Sequence, residues 1–585
     1  MVILGLDFGT TFSTLSLITK TSVCLALQSD SEFVPTVYGI NDTIDEYGYQ
    51  ICDDKFVFKP EKKYYRDIKR WIGVTSKTLQ AKLDLLKPDY LVRAGETVYD
   101  VYISDNTKSN FLPLYAVCAK FVLCFVREFE FRRDIVCDGL VISVPAQYNS
   151  SQRLFMKSLE SAIGINVVHI MNEPSAALFS AFRGLDATTQ NSDYIVYDFG
   201  GGTFDVSLIS KRGNIFSVIL SGGDEVLGGR DIDKALDEHI RKKYSLNVYD
   251  TFPVVDLKVM VSTTLEAVKM STRRGVVIVL TVLELREVCA PFFKRASEIL
   301  KSILEMSEIS SDICLVPIGG SALLPGAVEE AQSEIRKWMG RTLVYPRLRS
   351  AVSEGCAYFS SSISEGDYLF IDCCTSNICI PDTYIEPRVI IPVGAPLPVE
   401  VEVVTHTALK TSYFSTGVFE GGDNRLFYLN KIAAFTVKVD DFPLADAGVV
   451  ESWSWTLKLK LNTLGMFSGT YRITGYPQER ELTVAPKILA RQSIKQNLKT
   501  EVYSFSELTI AVKDYLYGSS LIKNDDEFTD IESYRTFLDT RAHIGLLGFN
   551  AKSRLIDYAG ADTLLATRTP VPDFLRETGY REIRR

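Results

Sequence analysis

The sequence predicts an α/β protein of duplicated design, with two lobes facing each other across a cleft, then a β-rich domain and a short helical C-terminal region. Three observations carry this reading. Residues 7–20, "DFGTTFSTLSLITK", align without gaps on residues 198–211, "DFGGGTFDVSLISK", with the same residue at seven of fourteen positions. Around each copy, short β-branched runs alternate with stretches of three-to-four apolar spacing, the pattern of strands alternating with helices. After about residue 365 the chain turns rich in Val, Thr, Ile, Pro and Gly at regular turn spacing. A chain of 585 residues also exceeds what one core can organise.

The elements follow in order. Residues 1–20 read strand, turn, strand. Segment 64–92 mixes polar and apolar residues and ends near Pro88, and a helix follows at about 112–132. "CDGLVISVP" is a short buried strand stopped by Pro145. "SSQRLFMKSLESAIG" is a helix with a serine cap and a stop at Gly164. "INVVHIMNEP" returns to strand, and "PSAALFSAFRG" is a helix opened by proline and closed by Gly184. The second half repeats this logic: strands over 194–221, the turn "SGGDEVLGG", the helix "DIDKALDEHIRKKY" and the strand "GVVIVLTV". A helix with Pro291 near its start then leads to the strand "ICLVPIGGSALLP". The expected divisions are lobe I at 1–183, lobe II at 184–366, a β-rich domain at 374–493 and a helical region at 494–585. Between them "DYLFIDC", residues 367–373, reads as a docking linker or as the first strand of the β-rich domain.

Composition narrows the function. The chain is 46% apolar and 23% charged, with a formal net charge of −9. Direct RNA binding is not expected from that global charge, and the basic end "RETGYREIRR" reads as a solvated tail. The densest cysteine group, Cys373, Cys374 and Cys379, has no nearby histidine pair or repeated CxxC, which argues against zinc. An odd count of 11 cysteines fits reduced thiols. The start "MVILGLDFG" reaches Asp7 too early for a signal peptide, and the most apolar run, "GVVIVLTVLELREV", is closed by Glu284, so no membrane span is expected.

The repeated turn carries the chemistry. In "DFGGGT" a strand ends in Asp198, a carboxylate that needs a cation or hydrogen-bond donors if it is buried. Gly200, Gly201 and Gly202 let successive amide N–H groups converge on an anion, and Thr203 adds a hydroxyl. Asp7, Gly9, Thr10 and Thr11 repeat the layout. Two such cradles, each rooted in an aspartate, suit a nucleoside triphosphate with Mg²⁺ held through its waters. The Walker-type loop GxxxxGK[ST] is absent, so the grip is not the strand–loop–helix kind.

The stretches "GLDFGTTFS", "IKRWIG", "VISVPAQYNSSQR", "IMNEPSAA", "VYDFGGGTFDVSLI", "GGDEVLGGRDID" and "VPIGGSALLP" resemble the heat shock protein 70 family, in that family's order over most of residues 1–360. Within it, the chain is similar to the heat shock protein 70 homologues of closteroviruses, filamentous plant RNA viruses. The resemblance implies an actin-like, ribonuclease H-like ATPase domain that binds ATP or ADP with Mg²⁺. It assigns Asp7 and Asp198 to the hydrated metal. Gly9, Thr10, Thr11, Phe12, Gly200, Gly201, Gly202 and Thr203 are assigned to the phosphates. Lys69, Glu173, Asp198, Thr203 and Asp205 are assigned to catalysis, Lys69 reaching the γ-phosphate. Read alone, Lys69 is a surface lysine, and Glu173 serves equally to stabilise a helix N-terminus. Gly228, Gly229, Glu266, Lys269, Gly319, Gly320 and Ser321 would frame the nucleoside. Pro145 and Arg153 resemble the switch that reports nucleotide state.

The chain also departs from the family pattern. Met270 stands where the family has an arginine on adenine, Ala322-Leu323 replace Thr-Arg, and Arg349 replaces an aspartate. These departures imply weaker or altered base selectivity. The resemblance further implies a chaperone-like ATPase in virion (tail) assembly and cell-to-cell movement. Its partners would be viral coat proteins, other virion or movement proteins, the host cytoskeleton and plasmodesmata, and its places the host cytoplasm, the virion and plasmodesmata. Two other readings stay open: a structural virion component with a vestigial nucleotide site, and a small-molecule kinase of the same superfamily.

Overall fold

The computed structural model describes residues 2–484 except 20–22, 42, 54–56, 185–191, 308–312, 337, 364–367, 383–385, 408–412, 427–428, 439–452 and 477. The helical region expected over 494–585 and the basic tail lie outside the described residues. The chain divides into two compact units. One comprises Met1–Thr375 with Pro396–Pro398 and Thr463–Met466; the other comprises Ser376–Ala395, Val399–Asn462 and the chain from Phe467.

Each half of the first unit is built on one copy of the repeat. Strand Ile3–Asp7 pairs antiparallel with Phe12–Ile18 and parallel with Gly139–Val144. Strand Ser192–Phe199 pairs antiparallel with Phe204–Arg212 and parallel with Ile313–Ile318. The register is duplicated as well. Asp7 opposes Thr14, and Asp198 opposes Asp205, its counterpart in the ungapped alignment. Because strand side chains alternate faces, equal register puts equivalent side chains on equivalent faces.

The first sheet runs Asn166–Asn172, Gly139–Val144, Ile3–Asp7, Phe12–Ile18, Val23–Leu25. The second runs Met339–Thr342, Ile313–Ile318, Ser192–Phe199, Phe204–Arg212, Ile215–Asp224, Leu369–Ile371. Gly139–Val144 and Ile313–Ile318 are buried at every position, as expected of parallel strands covered on both faces. Helix Ser150–Ile163 is capped by Asn149 rather than by serine: the Asn149 side chain accepts from the Gln152 amide, and Gly164 ends the helix in the left-handed region.

Two features differ from the sequence expectation. The first is "DYLFIDC". Its strand Leu369–Ile371 joins the edge of the second sheet, parallel to Ile215–Asp224. The Phe370 ring stacks on Phe216 at 4.8 Å and meets Phe179 edge-on at 5.0 Å. An apolar run gains more by burying its rings on a sheet edge than by staying solvated. The second is helix Ala351–Ile363. Although it lies within the residues expected to form lobe II, it packs on the first sheet, with Ser353 Oγ 2.7 Å from Ser16 Oγ. It also crosses helix Glu173–Gly184, and both help build a buried cluster with Val141 of the first sheet and Tyr194 and Val196 of the second. The chain therefore is not cut cleanly at 183/184, because this shared layer joins the two sheets.

Close backbone approach makes that layer possible. A β-carbon on Gly355 would collide with the Ala176 backbone, and one on Gly5 with Ser353 O and Ala357 N. Each lobe keeps its own core besides, one around Trp71, Phe121 and Phe155, the other around Tyr197, Phe199 and Leu285.

The second unit contains, among its described residues, strands in two antiparallel sheets. One runs Pro387–Ile391, Ile378–Pro381, Tyr413–Glu420, Asn430–Lys438, Thr483–Val484; the other runs Val399–Thr407, Trp453–Leu461, Phe467–Ile473, Arg480–Glu481. Period-two burial puts Trp455, Leu457, Leu459 and Leu461 inside and Lys458 and Lys460 outside. Phe435 stacks on Tyr471 at 4.3 Å and meets Trp455 edge-on, so the two sheets face each other through aromatic rings.

The close crossing yields a test. Gly355→Val forces two backbones apart inside a packed layer and is expected to destabilise the protein by about 1–3 kcal/mol. A lowered midpoint in chemical denaturation checks this; an unchanged midpoint contradicts the stated packing.

Candidate active site

The ends of elements from both lobes deliver charge to one place. Asp7 closes strand Ile3–Asp7, while Asp198 and Asp205 face each other across the second hairpin. Glu173 opens helix Glu173–Gly184, where the helix dipole favours a carboxylate. Lys69 lies in the 3-10 turn Ile68–Trp71, which is anchored by fully buried Trp71 donating to Tyr90 Oη at 2.9 Å. Lys69 Nζ pairs with Glu173 Oε1 at 2.6 Å, the side chains 5% and 8% exposed. Lys69 is therefore a buried member of a charge cluster.

The cluster is short of positive charge. Burial pushes the Asp7 carboxyl up to about 7, with Glu173 adding to the rise, against Lys69 and a 3.2 Å hydrogen bond from Ser143 Oγ. Burial pushes Asp205 up to about 8, again with Glu173 adding to it, and raises Asp198 well above the carboxylate range. For Lys69, burial works against the charge, but Glu173, Asp7 and Asp205 outweigh it and its pKa rises. Four carboxylates thus surround one ammonium, a donor set whose chemistry fits a divalent cation. Among the described residues no three His, Cys, Asp or Glu side chains converge as direct metal ligands. A cation of the Mg²⁺ type, which keeps most of its waters, needs no such group.

The two repeated turns meet over this cluster. A β-carbon on Gly201 would come within 2.6 Å of Thr11 Oγ1, and one on Gly202 within 2.5 Å of Thr10 Cγ2. Both turns line one cavity of about 650 Å³, together with Lys69, Glu173 and Asp198. That volume falls within the range for sites that enclose small molecules. The hydroxyls of Thr11 and Thr14, which also line it, are buried without hydrogen-bond partners. Orphaned hydroxyl donors beside the glycine-threonine turns fit a bound anion.

Gly200 N donates to Thr203 O at 3.0 Å, closing the second turn, and Ser321 Oγ donates to Gly200 O at 2.8 Å. Gly229, Gly319, Gly320 and Ser321 line the cavity with Gly9, Phe12 and Thr203, and Gly228 packs against the Gly202 backbone. The structure does not bring Glu266 and Lys269 to the cavity; both are exposed, and Met270 packs against the second-lobe core. That wall comes instead from helix Val254–Thr264, through Val255, Asp256, Lys258, Val259 and Ser262. Lys258 pairs with Asp233 at 2.6 Å. Sequence reading missed this helix because its Val and Thr content disguises the helical period. The Lys258–Ser262 spacing on one face was the available signal.

Leu323 and Val259 line the cavity as exposed apolar side chains, and Arg349 lies over the Phe33 ring with Cζ 3.7 Å from its centroid. Pro145 is buried just beyond strand Gly139–Val144, away from the cavity lining. Arg153 is also buried; it donates from Nε to Tyr148 O at 2.9 Å and from Nη2 to Asn172 Oδ1 at 2.5 Å, one residue before Glu173. Its charge also acts on buried Asp372.

Comparison with known proteins gives these features a context. The Hsp70 protein family model matches residues 3–251. The chain is 35% identical over 485 residues to the movement protein Hsp70h of Beet yellows virus (isolate Ukraine), covering 79% of each chain. It is 30% identical over 448 residues to the movement protein Hsp70h of Grapevine leafroll-associated virus 3 (isolate United States/NY1), covering 72% of this chain and 78% of that one. It is also 28% identical over 333 residues to the chaperone protein HscA of Photorhabdus laumondii, covering 55% and 52%. With matching turns, order and extent, the chain belongs to the heat shock protein 70 family.

Proposed function

We propose that this chain binds and hydrolyses Mg-ATP in the cleft between its lobes and acts as a chaperone-like factor in closterovirus virion (tail) assembly and cell-to-cell movement. The observation that carries the reading is the buried Lys69–Glu173 pair beneath two touching, duplicated turns. The relatives named movement proteins support the viral role. Viral coat proteins and other virion or movement proteins are the proposed partners, with the cytoskeleton and plasmodesmata of the host. The host cytoplasm, the virion and plasmodesmata are the proposed places of action. Among the described residues no helix is long and apolar enough to cross a membrane.

Bound Mg-ATP would supply the phosphoryl group and the cation that neutralises it. The protein's part is positioning and electrostatics. Asp7 and Asp198 would hold the waters of the cation. Backbone amides of residues 9–11 and 200–203 would wrap the phosphates. Lys69, fixed on Glu173, keeps N–H donors for a γ-phosphate oxygen and for the attacking water. Asp205 and Glu173 would orient that water. The base would lie against Val259 and Leu323, whose apolar contact carries no donor–acceptor pattern to separate one base from another, rather than against the polar Asp256, Lys258 and Ser262 of the same wall.

Single-turnover hydrolysis by the purified full chain tests this. Lys69→Ala is expected to slow it about 10²–10³-fold, and Asp7→Ala to weaken Mg-dependent turnover at least as much; wild-type rates in both contradict the reading. Asp205→Asn removes a carboxylate that burial and Glu173 disfavour. It is expected to raise the Tm of the nucleotide-free protein by about 2–4 °C while lowering turnover, as is usual where function requires a strained site; a lower Tm contradicts the charge deficit. In competition binding, ATP and GTP are expected to differ by less than about tenfold in Kd, since one missing polar contact is worth about 1 kcal/mol. A preference above a hundredfold contradicts a base seated on Val259 and Leu323 and points to the polar residues of that wall.

A further inference from the structure

Beside the cleft lies a second, smaller cavity of about 220 Å³. Four cations line it, Arg66, Arg70, Lys87 and Arg230, against two carboxylates, Asp67 and Asp89. The first three come from the first lobe, around the turn Ile68–Trp71 and the end of helix Ser76–Leu86. Arg230 comes from the first turn of helix Gly229–Lys243 in the second lobe.

The internal pairs leave charge over. Arg66 Nη2 bonds Asp89 Oδ1 at 2.5 Å, and its Cζ lies 5.8 Å from the Tyr90 ring centroid. Arg70 Nη2 donates to Gly202 O at 3.1 Å and to Asp231 Oδ2 at 3.2 Å. Arg230 pairs with Asp67, which Arg66 also approaches at 3.8 Å. Lys87 has no carboxylate within ion-pair distance among the described residues. Arg70 Nε is buried without a hydrogen-bond partner, on a side chain only 8% exposed. Burial, with the nearby Arg66 charge, pushes the Arg230 pKa down to about 10. A buried guanidinium N–H left unbonded and a guanidinium opposed by another are both relieved by an incoming anion.

We propose that this cavity is a binding site for a compact oxyanion of the phosphate class, gripped by arginines from both lobes. The planar fork of guanidinium donors matches phosphate oxygens. The volume lies below that of sites holding drug-sized ligands, which suits orthophosphate, diphosphate or one phosphorylated side chain and leaves no room for a nucleotide. An anion here adds a tie across the lobes to the Arg70–Asp231 and Lys82–Glu225 pairs, the latter 2.6 Å long. Filling it therefore slows nucleotide loss from the neighbouring cleft.

The test is calorimetric titration of the full chain with orthophosphate, diphosphate and O-phosphoserine at constant ionic strength. The cleft is first saturated with Mg²⁺ and a non-hydrolysable ATP analogue, so that the γ-phosphate position is already taken. Binding of the analogue is read in its own titration, so failure of the cleft reading shows separately. At least one probe is expected to bind saturably, and Lys87→Asn and Arg66→Met are each expected to weaken it at least tenfold. Lys87 is exposed, and asparagine tolerates its left-handed backbone, so that variant is expected to fold. Tighter binding of orthophosphate or diphosphate identifies a free anion as the ligand, and tighter binding of O-phosphoserine identifies a phosphorylated side chain. Binding of none of the three, or equal binding by wild type and both variants, overturns the proposal.

Discussion

The structure of the first unit depends on one unfavourable arrangement: Asp7, Glu173, Asp198 and Asp205 buried around a single ammonium, that of Lys69. Isolated buried carboxylates are costly. Their cost is met by the rest of the fold, since each one sits at the end of an element whose body lies in a well-packed core. Such a cluster is a store of ligand affinity. A cation with its nucleotide, binding the folded state alone, would return stability that grows with the logarithm of its concentration over Kd.

Holding that arrangement requires two sheets at a fixed spacing. Helices Glu173–Gly184 and Ala351–Ile363 provide it as a shared layer, close enough that glycine is needed where they cross. One of these helices carries Glu173 itself, so the spacing of the sheets and the position of the Lys69 partner are set together. Arg153, bonded to Asn172 next to Glu173 and acting on Asp372, links the same corner to the segment that leaves the second sheet. Packing and chemistry thus share the same residues.

Much of this was legible in the sequence for a physical reason. Duplication preserves strand register: the ungapped repeat made Thr14 and Asp205 equivalent positions, and the structure sets them opposite Asp7 and Asp198 in turn. Glycine and threonine turns were readable because few residues can form them. The wall toward the base was not. Helix Val254–Thr264 is written in β-branched residues, so this part of the cavity lining was expected beyond the helix, at Glu266 and Lys269, which lie on the surface. The destination of "DYLFIDC" was open because an apolar run reads alike as linker or strand; the rings of Phe179 and Phe216 decide it. The excess of arginine around Arg230 was invisible, because its members are scattered in sequence and meet only where the lobes do.

The most direct measurement is a crystal structure of the full chain grown with ADP and Mn²⁺, located by its anomalous signal. One metal–oxygen bond and one hydrogen bond in series put the ion about 4–5 Å from the carboxylates that hold its waters. A water-mediated metal site shared by the two lobes predicts one strong peak at that distance from both Asp7 and Asp198, with the phosphates against both glycine-threonine turns. A peak beside one turn alone, or outside the cleft, would contradict it.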